Sequence, residues 1–263
     1  MTELFEFGRA AGSESADASY GLGGDMKKTQ YVLQLLGFPG HADTLKCLIM
    51  AVEMGMETDS GVLDIVEGQD ESTDYMQISP FGMVPALKEA EYYVTGVSGI
   101  MSYIEARGLG KRLAPKNVTL LAEQNYWSDI ACSEVGPHVT ILIQERILAQ
   151  MNDAVYMVKT DDINAARQAL AAPLDALDMQ LEKNTFIIGN YSFADIHWTA
   201  YLHLLNEAGE GDLISERANV KAWFDRISTH KSFSGQNIVA YELLPKLVDI
   251  KNKRLSSIVI DDF

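Results

Sequence analysis

The sequence predicts an α/β domain followed by an all-α domain, and three observations carry that prediction. Strand-like apolar runs are confined to the residues before Gly108. From about residue 117 onward the apolar residues recur at the spacing of three and four that marks a helix face. Between the two lies "GLGKRLAPKN" (108–117), a linker-like stretch holding Gly and Pro.

Residues 1–29 come first and are rich in Gly, Ala, Ser and acidic side chains, the composition of a flexible extension. "LFEF" near its start is a small apolar anchor suited to docking. "YVLQLLGF" (31–38) reads as a buried strand. In "HADTLKCLIMAVEMGM", Leu45, Leu48, Ile49, Val52 and Met56 recur at helical spacing, with Asp43 or Thr44 as the N-terminal cap. "GVLDIV" (61–66) is a second strand, and "ESTDYMQI" (71–78) is a short helix or an irregular turn. "VPALK" and "EYYVT" pair as a hairpin, closed by the helix "SGIMSYIEARG". A βαβ unit, a short α element and a ββα unit make a small mixed sheet.

Four later stretches show helical periodicity: "TLLAEQNYWSDIACSEVGPHVTILIQERILAQ", "TDDINAARQALAAPLDALDMQLEK", "SFADIHWTAYLHLLNEAG" and "ANVKAWFDRISTHKSF". Ser192 and Asp195 fit a capping box, with Tyr191 and Ile196 placed for a hydrophobic staple. The expected organisation is an extension (1–29), a sheet domain (30–107), a linker (108–117) and a helical domain (118–263).

The 263 residues are 47% apolar, enough for a substantial core, and carry a formal charge of −16. That charge argues against nucleic acid as a partner, because phosphates would be repelled. No run of about 18 apolar residues predicts a membrane span. The N-terminus lacks the basic-then-apolar order of a secretory leader. Cys47 and Cys132 make no disulfide framework and sit in no metal-like cluster, so no metal is expected and a reduced, cytoplasmic setting is.

"SPFGMVPAL" (79–87) poses the functional question, since a proline interrupts what otherwise begins as a strand. Proline cannot donate to a ladder and belongs at strand starts, edges or bulges, and X-Pro is the bond with a realistic chance of being cis. One answer is that Val84 offers its main chain to a ligand. With "GNYSFADI" (189–196), this motif resembles the glutathione S-transferase superfamily over about residues 31–235. The resemblance implies a thioredoxin-like N-terminal domain and an all-helical C-terminal domain. It also implies glutathione as co-substrate, its cysteinyl part paired with the backbone of Val84 before a cis Pro85.

"GFPGHADTLKCLIMAVEMG" is similar to the first strand–helix junction of the bacterial glutathione-dependent β-aryl-etherases, through Ala42, Leu45 and Lys46. Asp43 and Thr44 stand where that group has Asn and Ser. "TILIQERILAQM" and Trp127 add to this likeness. The end of the helical domain also resembles the reductive dehalogenases of chlorinated hydroquinones such as tetrachlorohydroquinone. Those need a cysteine where this chain has Asp43, which argues against dehalogenation.

The resemblance implies a thiolate held at a helix N-terminus, whereas a free thiol has a pKa of about 8.5. Thr44 is the hydroxyl expected to donate to sulfur, or else only to cap the helix. Asp43 would oppose a thiolate but can cap. His41 can act as acid, base or donor. Lys46 and Ser98 join Val84 and Pro85 as expected glutathione contacts. Trp127, Tyr126 and Ile143 are candidates for the pocket of an aromatic ether substrate.

One departure is sharp. Where the family begins its third helix with Glu-Ser or Gln-Ser, this chain has Gly96 and Val97, and Ser98 comes one residue later. Two readings stay open: an enzyme whose glutathione thiolate displaces an aryloxy group, or a weakly binding subunit that pairs with a catalytic homologue. The family implies a homodimer or a heterodimer. An isomerase of the maleylacetoacetate type fits least, because "HADT" lacks its Ser-Ser-Cys run.

Overall fold

The computed structural model describes residues 33–37, 40–62, 71–90, 92–148 and 157–233, all within one compact unit. The expectations for the N-terminal extension and its "LFEF" anchor lie outside the described residues.

Strand β1 (Leu33–Gly37) buries Leu33 and Leu35, and helix α1 (Ala42–Glu53) follows it. Strand β2 (Thr58–Val62) runs parallel to β1, Leu33 opposite Thr58. It begins before "GVLDIV", whose residues 63–66 fall outside the described ones. Parallel pairing to β1 recruited the polar Thr58–Ser60 that apolar patterning passes over. Helix α2 (Thr73–Ile78) is capped by Ser72 Oγ, which accepts from Tyr75 N at 3.2 Å. Strands β3 (Ala86–Glu89) and β4 (Tyr92–Thr95) form the expected hairpin, and α3 (Val97–Arg107) closes the unit. The sheet order is β2-β1-β3-β4, with β3 antiparallel to β1.

Helix α1 starts two or three residues earlier than the sequence suggests, with His41 as N-cap instead of Asp43 or Thr44. Both side chains are committed elsewhere. Asp43 bonds Lys46, and Thr44 packs under β1, where a Cβ on Gly37 would come within 2.4 Å of Thr44 Cγ2. Only glycine fits at position 37.

The helical domain opens with α4 (Val118–Ile130), capped by Asn117 Oδ1 accepting from Thr119 N and Leu120 N. A π-helical turn (Ala131–Val135) leads into α5 (Gly136–Ile143) and a second such turn (Gln144–Leu148). The helical stretch thus runs on without a break but is wound into π turns on both sides of α5, and Pro137, which has no N–H to give, sits in the first turn of α5. Helices α6 (Thr160–Leu181), α7 (Phe193–Glu207), α8 (Asp212–Ser215) and α9 (Ala218–Ser228) complete it.

One core runs through both halves. Helix α1 is buried on almost every face because it is packed between α3 and α7. Trp198 of α7 is fully buried, and its indole N–H donates to Trp127 O at 3.0 Å. Truncating such a side chain costs about 3–5 kcal/mol. Among the described residues no helix is long and apolar enough to cross a membrane.

Candidate functional site

The turn before β3 is built from α2. Tyr75 OH and Ser79 Oγ both donate to the Met83 carbonyl, at 2.7 and 3.0 Å, and both side chains are buried. That fixes the chain entering Val84, and the Val84–Pro85 bond is cis. Among the described residues, the Val84 backbone takes part in no ladder and no other backbone hydrogen bond. Ala86 pairs with Thr95, so extending the register sets Val84 opposite Val97, the first residue of α3. An unused peptide edge and a helix N-terminus therefore meet.

Gly96 caps α3 with φ 81°, a conformation that disfavours any side chain, and a Cβ there would touch Met83 Cε at 3.4 Å. Val97 follows without a hydroxyl. Ser98 is exposed on the wall of a cavity of about 650 Å³ between the two halves. Helices α3, α4 and α7 and the linker line it, with Glu105, Arg112, Gln124, Cys132 and His197 among the polar side chains.

At the start of α1 the residues divide. No side chain caps this helix. His41 Nδ1 is buried with no hydrogen-bond partner among the described residues, and burial outweighs Asp43 in lowering the ring's pKa. Thr44 does not cap the helix: it is the third residue of α1, 1% exposed and packed against Gly37.

Lys46, expected at glutathione, is 0% exposed and directed into the seam between the halves. Its Nζ donates to Asp43 Oδ1 at 2.6 Å and to Tyr201 OH at 2.9 Å. Burial works against the ammonium, but Asp43, Tyr201 and Cys132 outweigh it and raise the pKa. Asp43 is thereby a counter-ion. Tyr201 is pushed up to about 12 by burial, against the pull of Lys46.

By register Val84 and Pro85 lie toward the start of α3, the helix that carries Ser98, while at the start of α1 Asp43 and Lys46 are paired and His41 Nδ1 has no partner among the described residues. Trp127 and Ile143 are core residues and Tyr126 is exposed; none of the three lines the cavity. Sequence reasoning missed Tyr75 and Ser79 as builders of the turn, and Gln124, Cys132 and His197 on the cavity wall. The only sequence signal for the last three was their polar character inside helical apolar stripes. Among the described residues no cluster of three His, Cys, Asp or Glu side chains is arranged to hold a metal.

Two family models match the chain: "Glutathione S-transferase, N-terminal domain" over residues 31–106 and "Glutathione S-transferase, C-terminal domain" over 137–231. The chain belongs to the glutathione S-transferase superfamily. Members of this superfamily use glutathione as co-substrate. A similar relative is glutathione S-transferase F10 of Arabidopsis thaliana, 27% identical over 199 residues, covering 74% of this chain and 92% of the relative. The fold is that of glutathione S-transferase-I bound with lactoylglutathione, at TM-score 0.72 and 18% identity, covering 80% of this chain and 99% of the other. The β-etherase LigF of Sphingobium sp. strain SYK-6 shares it too, at TM-score 0.66 and 22% identity, covering 77% and 97%. The likeness to these two structures shows the transferase fold.

Proposed function

We propose that the chain is a glutathione-dependent transferase that cleaves β-aryl ethers of lignin-derived aromatics. The observation that carries this reading is the peptide edge of Val84, unused by the sheet and set against the start of α3 beside a cavity. A tripeptide fits such an edge by strand addition, its main chain answering the N–H and C=O of Val84. Its carboxylate end is drawn to the N–H groups and partial positive charge of the α3 N-terminus, with Ser98 as the available hydroxyl. The uncapped start of α1 and the orphan His41 Nδ1 provide donors for a thiolate, the role first expected of Thr44. The thiolate forms a bond to the carbon bearing the aryloxy group, the carbon–oxygen bond breaks, and the phenolate leaves and takes up a proton.

Calorimetry of glutathione on the isolated chain tests the edge. Saturable binding tighter than about 1 mM is expected, together with phenol release from a β-aryl ether that requires glutathione. No heat of binding would sink the reading.

A second reading is favoured by one observation: Val97 supplies no hydroxyl at the head of α3, and the lost bond to a charged group is worth about 1.5–3 kcal/mol. On that reading the chain is a weakly binding subunit of a dimer, with Phe81 (80% exposed) and Met83 on the turn as apolar contact for a homologous partner. Phenol release that begins only when such a partner is added would select it.

A further inference from the structure

The cavity wall carries, on the π-helical turn after α4, a thiol that the proposed glutathione chemistry does not use. Cys132 is half-buried, with Sγ 3.3 Å from His197 Nδ1 and 3.7 Å from Lys46 Nζ. Lys46 cannot swing away, since Asp43 and Tyr201 hold it and it has no exposed surface. The sulfur therefore lies at the cavity wall within reach of a fixed ammonium and an imidazole. Burial keeps His197 neutral, so its ring bonds the sulfur without bringing a competing charge. Cys47 provides the contrast: it is fully enclosed, burial pushes its thiol pKa up, and it does not line this cavity.

The same cavity states what it would accept. Gln124 is 2% exposed, lies on the wall, and its Oε1 has no hydrogen-bond partner among the described residues. A buried amide oxygen left in that state calls for a ligand with an N–H or O–H to give. Asp129, three residues before Cys132, also lines the cavity at its solvent-exposed side, and among the described residues no ion pair reaches it. Glu105 is already answered by the N–H groups of Leu113 and Ala114 and by Arg112. The wall therefore offers acceptors and one uncompensated negative charge.

We propose that Cys132 is the attacking thiol of a second site, which takes small disulfides bearing ammonium groups and retains one half as a mixed disulfide. The Cys132 Sγ forms a bond to one sulfur of the disulfide as the original S–S bond breaks. Its electron pair leaves with the aminoalkyl thiolate, which takes up the proton that the Cys132 thiol gives up. Cys132 is oxidised and half of the incoming disulfide is reduced, so no further oxidant is needed. Gln124 Oε1 and Asp129 receive the ammonium N–H groups.

The test is labelling of the full chain with cystamine at neutral pH and low salt, followed by intact mass and peptide mapping, with no glutathione present. The outcome is therefore independent of whether the chain binds glutathione. A single aminoethanethiol adduct on Cys132 is expected, formed at least about tenfold faster than on the urea-unfolded chain. Cys132→Ser should take none. Cystamine should outpace the uncharged bis(hydroxyethyl) disulfide, and Asp129→Asn should erase that preference. Lys46→Met should slow labelling. Should that variant fail to fold, His197→Gln, which leaves the ammonium in place, should slow labelling less than tenfold and keep the preference for cystamine. Adducts on Cys47, a Cys132 rate equal to that of the unfolded chain, or an unchanged preference in Asp129→Asn overturns the proposal.

Discussion

Two helices begin at the seam between the halves, and their N-termini are built on opposite principles. At α7 the Asp195 carboxylate is full: Ser192 N and Ser192 Oγ donate to Oδ2, and Ile187 N and Trp223 Nε1 donate to Oδ1. This is the expected capping box, extended by two donors distant from it. At α1 no side chain caps the helix and His41 Nδ1 has no partner among the described residues. Buried polar groups in folded proteins are nearly always satisfied. The α7 start therefore reads as structure, and the α1 start as a place kept for something the described residues do not supply.

The most severe way to break this contrast is Asp195→Ala. It strands several buried donors at once and should cost about 3–5 kcal/mol in a urea unfolding curve. A loss below about 1 kcal/mol would mean that the box is dispensable.

Acid provides the next test, because α7 carries Asp195, His197 and His203. Burial lowers His197 to about 3 and His203 to about 4, while burial raises Asp195 to about 6. A histidine lowered on folding is bound by fewer protons than in the unfolded chain, so its contribution is lost as pH falls below 6.5. Asp195 acts in the opposite sense between about 6 and 3.8, where the folded chain binds the extra proton. The histidines outnumber it. Thermal stability should fall from pH 6.5 toward 4, by at most about 1.4 kcal/mol per pH unit for each uncompensated group. His203→Gln should flatten that slope, and an unchanged slope would remove His203 from the account.

Val97→Ser sharpens the comparison at the neighbouring helix start. Glutathione should bind about tenfold more tightly by calorimetry, close to 1.4 kcal/mol. Equal affinity in the two chains would place the tripeptide carboxylate elsewhere. The smallest expected effect on stability belongs to His41→Asn, within about 0.5 kcal/mol of the parent. The same variant should lower the rate of the glutathione-dependent reaction. If it destabilises as Asp195→Ala does, the α1 start is merely structural.

Local grammar was readable where both partners sit within a few residues. Ser192 and Asp195 announce their own box, and the Val84–Pro85 motif announces the turn. The start of α1 misled for the converse reason. Asp43 and Thr44 both look like caps, but Asp43 is claimed by Lys46, whose burial depends on Tyr201 on a helix far along the chain. Strand β2 was placed late because its edge pairing to β1 tolerates the polar Thr58–Ser60. The cavity was illegible altogether: Cys132 and His197, or Ser98 and Gln124, are joined only by the packing of α3, α4 and α7.

Lys46 has a mechanical consequence. It reaches from a helix of the sheet half to a hydroxyl of the helical half, at a depth solvent does not reach. Hinging the halves apart would keep the Asp43 counter-ion, which shares α1 with Lys46, but would break the buried bond to Tyr201, so the halves are tied by a directional polar contact as well as by apolar packing. A protease nick anywhere in 108–117 should therefore leave two pieces that travel together through a sizing column and melt in one step.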